Sequence, residues 1–133
     1  MSGLALADAA EALVGVRFRL HGRDPRVGLD CVGLLGAALA AIGRPAALPN
    51  GYALRARSVD SLLPDPAALG FVESTDEILP GDVALVRLGP CQFHLAIAAR
   101  GGGHVHAHAG LRRVALSPPP FPGEPVRRWR LKD

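Results

Sequence analysis

The sequence predicts an α+β fold in which helices come first and antiparallel strands follow. Residues 3–43 are apolar with a helical period, whereas the chain after residue 80 consists of short apolar runs separated by turn residues. The 133 residues are 49% hydrophobic and 20% charged, which is ordinary for a globular protein and excludes an intrinsically disordered chain. We therefore expect one domain over residues 1–133, with its helices packed on a sheet of about five strands.

Two helices are expected before residue 44. The first has one face formed by Leu4, Ala7, Ala10, Glu11 and Val14. The second covers Cys31–Ile42, is apolar on every face and so should be buried. Asp30 is a good N-cap for this helix, and Gly43 and Pro45 should end it.

The second half predicts strands with tight connections. Turn residues separate five apolar runs, which are Val83–Leu88, Phe93–Ala99, His104–His108, Arg113–Leu116 and Val126–Leu131. A three-residue turn at Gly101–Gly103 would pair Arg100 with His104. A short helix beginning at Ser58 and ending before Pro64 is also expected, and Ser117–Pro122 is interpreted as an extended linker.

Charge and cysteine content exclude several classes of partner and site. The formal net charge is +3 without a basic run, so nucleic acid is not an expected partner. Two cysteines exclude a disulfide-stapled scaffold and a four-cysteine zinc site. No basic leader precedes Leu4, and the longest central uncharged stretch falls short of the about 20 residues that a membrane span needs. We expect synthesis in the cytoplasm, no membrane partner and no Cys31–Cys91 disulfide.

Cys31 is the first candidate for chemistry. It follows the N-cap Asp30, where unpaired backbone N–H groups and the helix dipole favour a thiolate. Such a position is expected to lower the thiol pKa and to make the sulfur nucleophilic. His94 would be the base and a histidine from 104–108 the group that orients it. The competing interpretation is that Cys31 is a small buried core residue.

The histidine strand also permits a metal site. His104, His106 and His108 alternate and should share one face of their strand. Imidazoles from 94, 106 and 108, with Cys91 or Cys31, could bind zinc. Cys91 and His94 have a two-residue ligand spacing, but no second pair matches it, so we expect no metal or other cofactor.

Four motifs resemble the NlpC/p60 cell-wall cysteine peptidases. They run in that family's order, as Gly28-Leu-Asp-Cys31-Val-Gly-Leu, Leu79-Pro-Gly-Asp-Val, His94-Leu-Ala-Ile-Ala and Gly103-His-Val-His106-Ala. The resemblance implies a papain-like α+β fold and hydrolysis of peptide bonds in peptidoglycan stem peptides. It also implies Cys31 as nucleophile, His94 as base and His106 as the group that orients His94.

The resemblance suggests substrate contacts and a biological setting as well. Phe18 stands where the family commonly has Tyr, and His21 where it has Gly. We expect both residues, with Asp30 and His108, to contact the substrate. A three-residue turn would bring His108 closer to His94 than His106, so His108 is the alternative orienting group unless a bulge intervenes. The segment beginning Phe18-Arg-Leu-His-Gly-Arg is most similar to small phage-type enzymes. We therefore expect association with a phage tail or gene-transfer particle. The rival functions are a non-catalytic tail protein and a histidine-rich metal-binding module on the same fold.

Overall fold

The computed structural model describes residues 2–48, 62–63, 65–90 and 92–133. Helix α1 (Ser2–Glu11) is followed by the small ribbon β1 (Arg23–Asp24) and β2 (Gly28–Leu29), and then by helix α2 (Cys31–Ala41). The main sheet contains β3 (Phe71–Glu73), β4 (Val83–Gly89), β5 (Gln92–Ala98), β6 (His104–His108), β7 (Arg113–Ser117) and β8 (Glu124–Leu131). Its strands are antiparallel and lie in the order β3-β8-β4-β5-β6-β7.

This architecture confirms the predicted α+β class and corrects the strand number from about five to six. The additional strand, β3, has three residues, of which only Phe71 is buried, so it leaves no alternating pattern in the sequence. It follows a single 3-10 turn at Ala67–Leu69. The short helix predicted to begin at Ser58 falls outside the described residues.

Helix α1 buries part of the predicted face, Ala7 and Ala10, together with Leu6, which was not predicted. Leu6, Ala7 and Ala10 are inaccessible to solvent, while Val14 is 41% exposed. The helix ends at Glu11, so Val14 cannot lie on its apolar face. No helix among the described residues is long and apolar enough to cross a membrane.

Helix α2 begins and ends almost where the sequence predicts. Asp30 is its N-cap, and its side chain accepts a hydrogen bond of 2.8 Å from the Gly33 N–H. The helix contributes to one core with apolar residues of β4, β5 and β6, and its contributions include Val32, Leu35 and Leu39. Each fully buried leucine contributes about 2 kcal/mol to folding, so this packing fixes the start of α2 against the sheet.

The predicted register of β5 and β6 is wrong by two residues. Ala98, rather than Arg100, pairs with His104, because the turn includes Ala99–Gly103 and is closed by a hydrogen bond from the Ala99 N–H to the Gly103 carbonyl. Gly102 and Gly103 both have positive φ, which glycine adopts without strain. The pairing of β5 with β6 covers only Ile97–Ala98 and His104–Val105, and beyond it His106, rather than His108, contacts His94.

A buried carboxylate holds the turn before β4. Asp82 is inaccessible to solvent and accepts hydrogen bonds from Arg128 and Arg130 on β8 and from the Leu79 N–H. The pairing neutralises a charge that would be costly to bury alone. The Pro80–Asp82 turn is therefore a structural feature at the far end of the sheet from Cys31.

Candidate active site

A cavity of about 260 Å³ lies between the start of α2 and the ends of β5 and β6. Its lining includes Cys31, His94 and His106, the three residues that sequence analysis placed in catalytic roles. Phe18 and His108 also line it. The fold thus brings residues from the helix start and from two adjacent strands into one space.

Cys31 is fixed by backbone contacts at the first turn of α2. The Asp30 carboxylate binds the Gly33 N–H, and the Asp30 carbonyl accepts a 2.8 Å hydrogen bond from the Leu34 N–H. The backbone N–H groups of Leu95 on β5, Val32 and Cys31 act on the sulfur to lower the pKa of the thiol. The backbone at the helix start therefore favours the charged form of the sulfur.

Glycine at position 33 allows this helix start to pack closely on the preceding loop. A Cβ at Gly33 would lie 1.9 Å from the Gly22 carbonyl oxygen, far closer than any side chain tolerates. The contact joins two stretches of backbone directly. The position of the cysteine thus depends little on rotatable side chains.

The expected thiolate at Cys31 is wrong for this structure. Burial raises the pKa of the Cys31 thiol to about 12, and the neighbouring Asp30 charge adds to the rise. The three backbone N–H groups lower the pKa but do not outweigh burial, since the side chain is only 9% exposed. The resting sulfur is a neutral thiol.

His94 and His106 form a hydrogen-bonded chain that ends on Ser117. His94 Nε2 lies 3.1 Å from His106 Nδ1, and His106 Nε2 lies 2.9 Å from Ser117 Oγ. Both nitrogens of His106 are therefore occupied. The imidazole of His94 keeps Nδ1 uncommitted among the described residues, on a side chain that lines the same cavity as Cys31.

Both imidazoles are neutral at physiological pH. Burial lowers the pKa of His94 to about 3, and the adjacent His106, His104 and His108 lower it further. Burial and the neighbouring His104 and His108 lower the pKa of His106 to about 4. No hydrogen bond joins Cys31 to His94 in the part of the chain that the structure describes. The resting cavity thus holds a thiol and two neutral imidazoles, without a preformed ion pair among the described residues.

The residues expected at the substrate fall into two groups. Phe18 and His108 line the cavity, and His108 Nδ1 accepts a 3.1 Å hydrogen bond from the Leu111 N–H. Asp30 borders the cavity, but its carboxylate is 1% exposed and holds backbone N–H groups of Gly33 and His21. His21 does not line the cavity and is exposed. The structure thus gives Asp30 a capping position and leaves His21 outside.

Ser117 is a contact that sequence analysis missed. It was assigned to an extended linker, but it is the last residue of β7 and pairs with His104 across the ladder. Residues directly opposite share a face of the sheet, which brings its hydroxyl to the histidine row. The alternation of β6 pointed to this face, but the register with β7 was needed to find the partner.

The described residues give the metal alternative no support. They contain no group of three metal-ligating side chains arranged around a common point. Both ring nitrogens of His106 are hydrogen-bonded, one to His94 and one to Ser117, so neither is free to bind a metal. Cys91, one of the ligands considered, lies outside the described residues.

Known structures resemble this fold over nearly the whole chain. No family model matches the chain, and no curated protein matches its sequence. The NlpC/p60 domain of the peptidoglycan hydrolase SagA superposes with a TM-score of 0.64 at 23% identity, covering 98% of this chain and 100% of that one. NlpC1 and NlpC2 from Trichomonas vaginalis give TM-scores of 0.66 and 0.68 at 21% and 18% identity, covering 97% and 96% of this chain.

The matched lengths of these neighbours differ. The chain spans the whole SagA domain but under half of each Trichomonas protein, 45% and 46%. At these identities the likeness concerns the backbone, with its two helices and antiparallel sheet. The chain therefore has the NlpC/p60 fold.

Proposed function

We propose that this chain is a cysteine peptidase that hydrolyses peptide bonds in the stem peptides of peptidoglycan. The observation that carries the proposal is the chain His94–His106–Ser117, whose uncommitted nitrogen shares a cavity with a helix-start cysteine. A nucleophile, a base and a group that orients the base are the parts that thiol catalysis needs. The substrate class is supported by SagA, a peptidoglycan hydrolase of the same fold.

The first step requires one tautomer of the histidine chain. His94 Nδ1 must be unprotonated to accept the thiol proton, so its Nε2 carries hydrogen and donates to His106 Nδ1. His106 Nε2 then donates to Ser117 Oγ, which agrees with the two short contacts. Because His106 is neutral, it orients His94 and stabilises the imidazolium as a hydrogen-bond acceptor, in the manner of an amide oxygen.

Proton transfer would accompany nucleophilic attack. His94 takes the proton of Cys31 while the sulfur bonds to the substrate carbonyl, so neither ion must exist in the resting cavity. The negative charge passes to the carbonyl oxygen, where the N–H of Cys31 at the start of α2 can donate to it. The His94 imidazolium protonates the leaving amine as the C–N bond breaks, which leaves the acyl group on Cys31 as a thioester. Water, deprotonated by the neutral His94, then attacks the thioester, and the sulfur leaves as the Cys31 thiol, taking back that proton.

Replacing the nucleophile tests the proposal directly. Cys31→Ser should reduce release of fragments from purified peptidoglycan by at least about a thousandfold, because a hydroxyl is a far weaker nucleophile beside the same base. Mass analysis of the soluble fragments identifies the cleaved bond, and circular dichroism checks the fold. Cys91→Ser, at the chain's other cysteine, is the matched control and should keep activity. Substantial turnover by Cys31→Ser would remove Cys31 from the mechanism.

We also propose that the enzyme acts as part of a phage tail or gene-transfer particle. The support is the segment from Phe18 to Arg23, followed by Gly28-Leu-Asp-Cys31, which is most similar to the small phage-type members. Fractionating producing cells and purified particles with an antibody to the chain tests this. Co-purification with particles supports it, whereas efficient export of the free chain contradicts it. Particle incorporation without any peptidoglycan hydrolysis would favour a non-catalytic tail protein.

A further inference from the structure

Four arginines differ from the other arginines that the structure describes. Elsewhere each guanidinium contacts a carboxylate, a backbone or hydroxyl oxygen or an aromatic ring, as Arg100 does with Asp8 and Arg87 with Phe93. The four exceptions are exposed and have no such contact with a described residue; they are Arg17, Arg19, Arg112 and Arg113. We call this set the arginine cluster.

The arginine cluster occupies two chain segments that lie side by side. Arg17 and Arg113 face each other across an antiparallel bridge, and the Phe18 N–H donates a 2.9 Å hydrogen bond to the Arg112 carbonyl. Side chains of directly opposed residues project from the same face, about 5 Å apart at Cβ. Two guanidinium groups therefore emerge together.

The same face leads into the candidate active site. Arg113 on β7 pairs with His108 on β6, and His108 lines the cavity that contains Cys31. Across neighbouring strands, the side-chain row therefore runs from Arg17 through Arg113 to His108. Phe18, between Arg17 and Arg19 in the chain, also lines this cavity. The cluster thus lies at one border of the site.

Like charges directly opposite each other disfavour the strand pairing that holds them. Most of the other described arginines pair with a carboxylate, as Arg26 does with Asp24 at 3.1 Å. No described carboxylate pairs with the cluster. A guanidinium presents a planar fork that matches both oxygens of a carboxylate, so an anionic ligand would relieve the repulsion and gain directed hydrogen bonds.

We propose that Arg17 and Arg113, flanked by Arg19 and Arg112, bind a carboxylate of an acidic peptide that extends from the catalytic cavity. The inference rests on the proposed function only for the identity of that peptide as a peptidoglycan stem. The arginine cluster then selects stems whose side carboxylates are free over stems in which they are amidated. Substrate charge thereby becomes a determinant of specificity.

Binding to an inactive chain tests the proposal without hydrolysis. The full-length Cys31→Ala variant is titrated calorimetrically with a synthetic stem peptide with free carboxylates, and with the same peptide fully amidated. We expect at least tenfold tighter binding of the acidic peptide, with the preference falling as salt rises. Adding Arg17→Gln and Arg113→Gln should abolish the preference but leave binding of the amidated peptide within about twofold, which also reports an intact cavity.

A charge-matched control separates a site from general attraction. Arg26→Gln with Arg127→Gln removes the same net charge from arginines that pair with Asp24 and Glu73, and should preserve the preference. Equal binding of both peptides by the parent variant, or an equal loss in this control, overturns the inference. Hydrolysis by the active chain is measured separately. If the charge preference depends on Arg17 and Arg113 but the active chain hydrolyses nothing, the arginine site stands and the peptidase proposal is rejected. If the active chain hydrolyses acidic and amidated stems equally well, the peptidase proposal stands and the arginine site is rejected.

Discussion

Two histidines on the same face of β6, two residues apart, have opposite hydrogen-bonding environments. His106 uses both ring nitrogens, on His94 and on Ser117. His104 is 2% exposed, and neither of its nitrogens has a hydrogen-bond partner among the described residues. Its ring lies 4.7 Å from that of His106 and 5.4 Å from that of Phe121, measured between centroids.

The two positions contrast a buried polar side chain that is hydrogen-bonded with one that makes only packing contacts. A buried polar group without a partner costs about 1–3 kcal/mol, so His104 should weaken the fold at the place where His106 is satisfied. Strand, face and residue type are the same for both. The difference in expected role therefore follows from partners on adjacent strands, and substitutions at the two positions should have different effects.

The largest expected difference is in catalysis. His106→Ala should lower kcat/KM for stem-peptide hydrolysis by at least about a hundredfold, because His94 loses the group that fixes its tautomer. His104→Leu should stay within about threefold, and His108→Ala should fall between them. Steady-state kinetics with a purified muropeptide measure all three. If His104→Leu proved the most damaged, the histidine chain would not be the catalytic device.

The hydrogen-bonded pair His94–His106 should also affect the stability of the protein in acid. Burial lowers the pKa of His94 to about 3 and that of His106 to about 4. In the unfolded chain a histidine titrates at about 6.5. Between these values the unfolded state binds more protons, so the stability is complete above about pH 6.5 and is lost as pH falls through that window. Each histidine should account for about 2.5 kcal/mol of lost unfolding free energy at pH 4.5.

Urea unfolding at pH 7.5 and 4.5 measures this loss. The double variant His94→Gln with His106→Gln removes the two titrating rings while keeping side chains that can hydrogen-bond, and should show a much smaller difference between the two pH values. His21→Asn, at an exposed histidine with positive φ, is the control and should behave as the parent does. An unchanged pH dependence in the double variant would contradict the assignment.

Ser117 should have a smaller effect, as a positioning residue that acts through His106. Ser117→Ala removes the oxygen 2.9 Å from His106 Nε2 and should lower kcat about tenfold with little change in KM. Ser117→Thr restores a hydroxyl on a strand position that suits a β-branched residue, and should recover most of the rate. Threonine failing where alanine fails would mean that the hydroxyl is not what matters.

The smallest expected effect reverses the usual direction of a core substitution. His104→Leu removes two unsatisfied nitrogens and keeps apolar volume next to Phe121, so it should raise the free energy of unfolding by about 1 kcal/mol at pH 7.5. His106→Leu should lower it, because Ser117 and His94 lose their partner. Urea titration compares them, and a stabilised His106→Leu would erase the distinction between the two histidines.

Local features of this chain were predictable from sequence, while features that depend on distant partners were not. Asp30 next to Cys31 predicts the start of α2, since a cap needs only the next three residues. The alternation of β6 predicts one face for its histidines. The predicted register between β5 and β6 was wrong, because the length of the turn depends on the positive φ of Gly102 and Gly103.

The pKa of Cys31 was mispredicted for a related reason. The helix-start effect is local and real, since backbone N–H groups do lower the pKa of the thiol. Burial depends on how the sheet and α2 close around the sulfur, which the neighbouring residues do not reveal. Ser117 was missed because its contact belongs to a ladder between β6 and β7, and Arg17 gains its neighbour Arg113 across an isolated bridge.

The neutral resting thiol has a consequence for oxidative damage. Peroxides attack the thiolate, and because burial raises the pKa of the Cys31 thiol to about 12, little thiolate is present at pH 7. Sulfenic acid should therefore form far more slowly at Cys31 than at an exposed cysteine with an ordinary pKa, and dimedone labelling after peroxide treatment would measure the rate. Cys31 should therefore stay reduced longer than an exposed cysteine does under the same peroxide treatment. In the proposed mechanism, the sulfur would become reactive when His94 removes its proton during attack on a bound carbonyl.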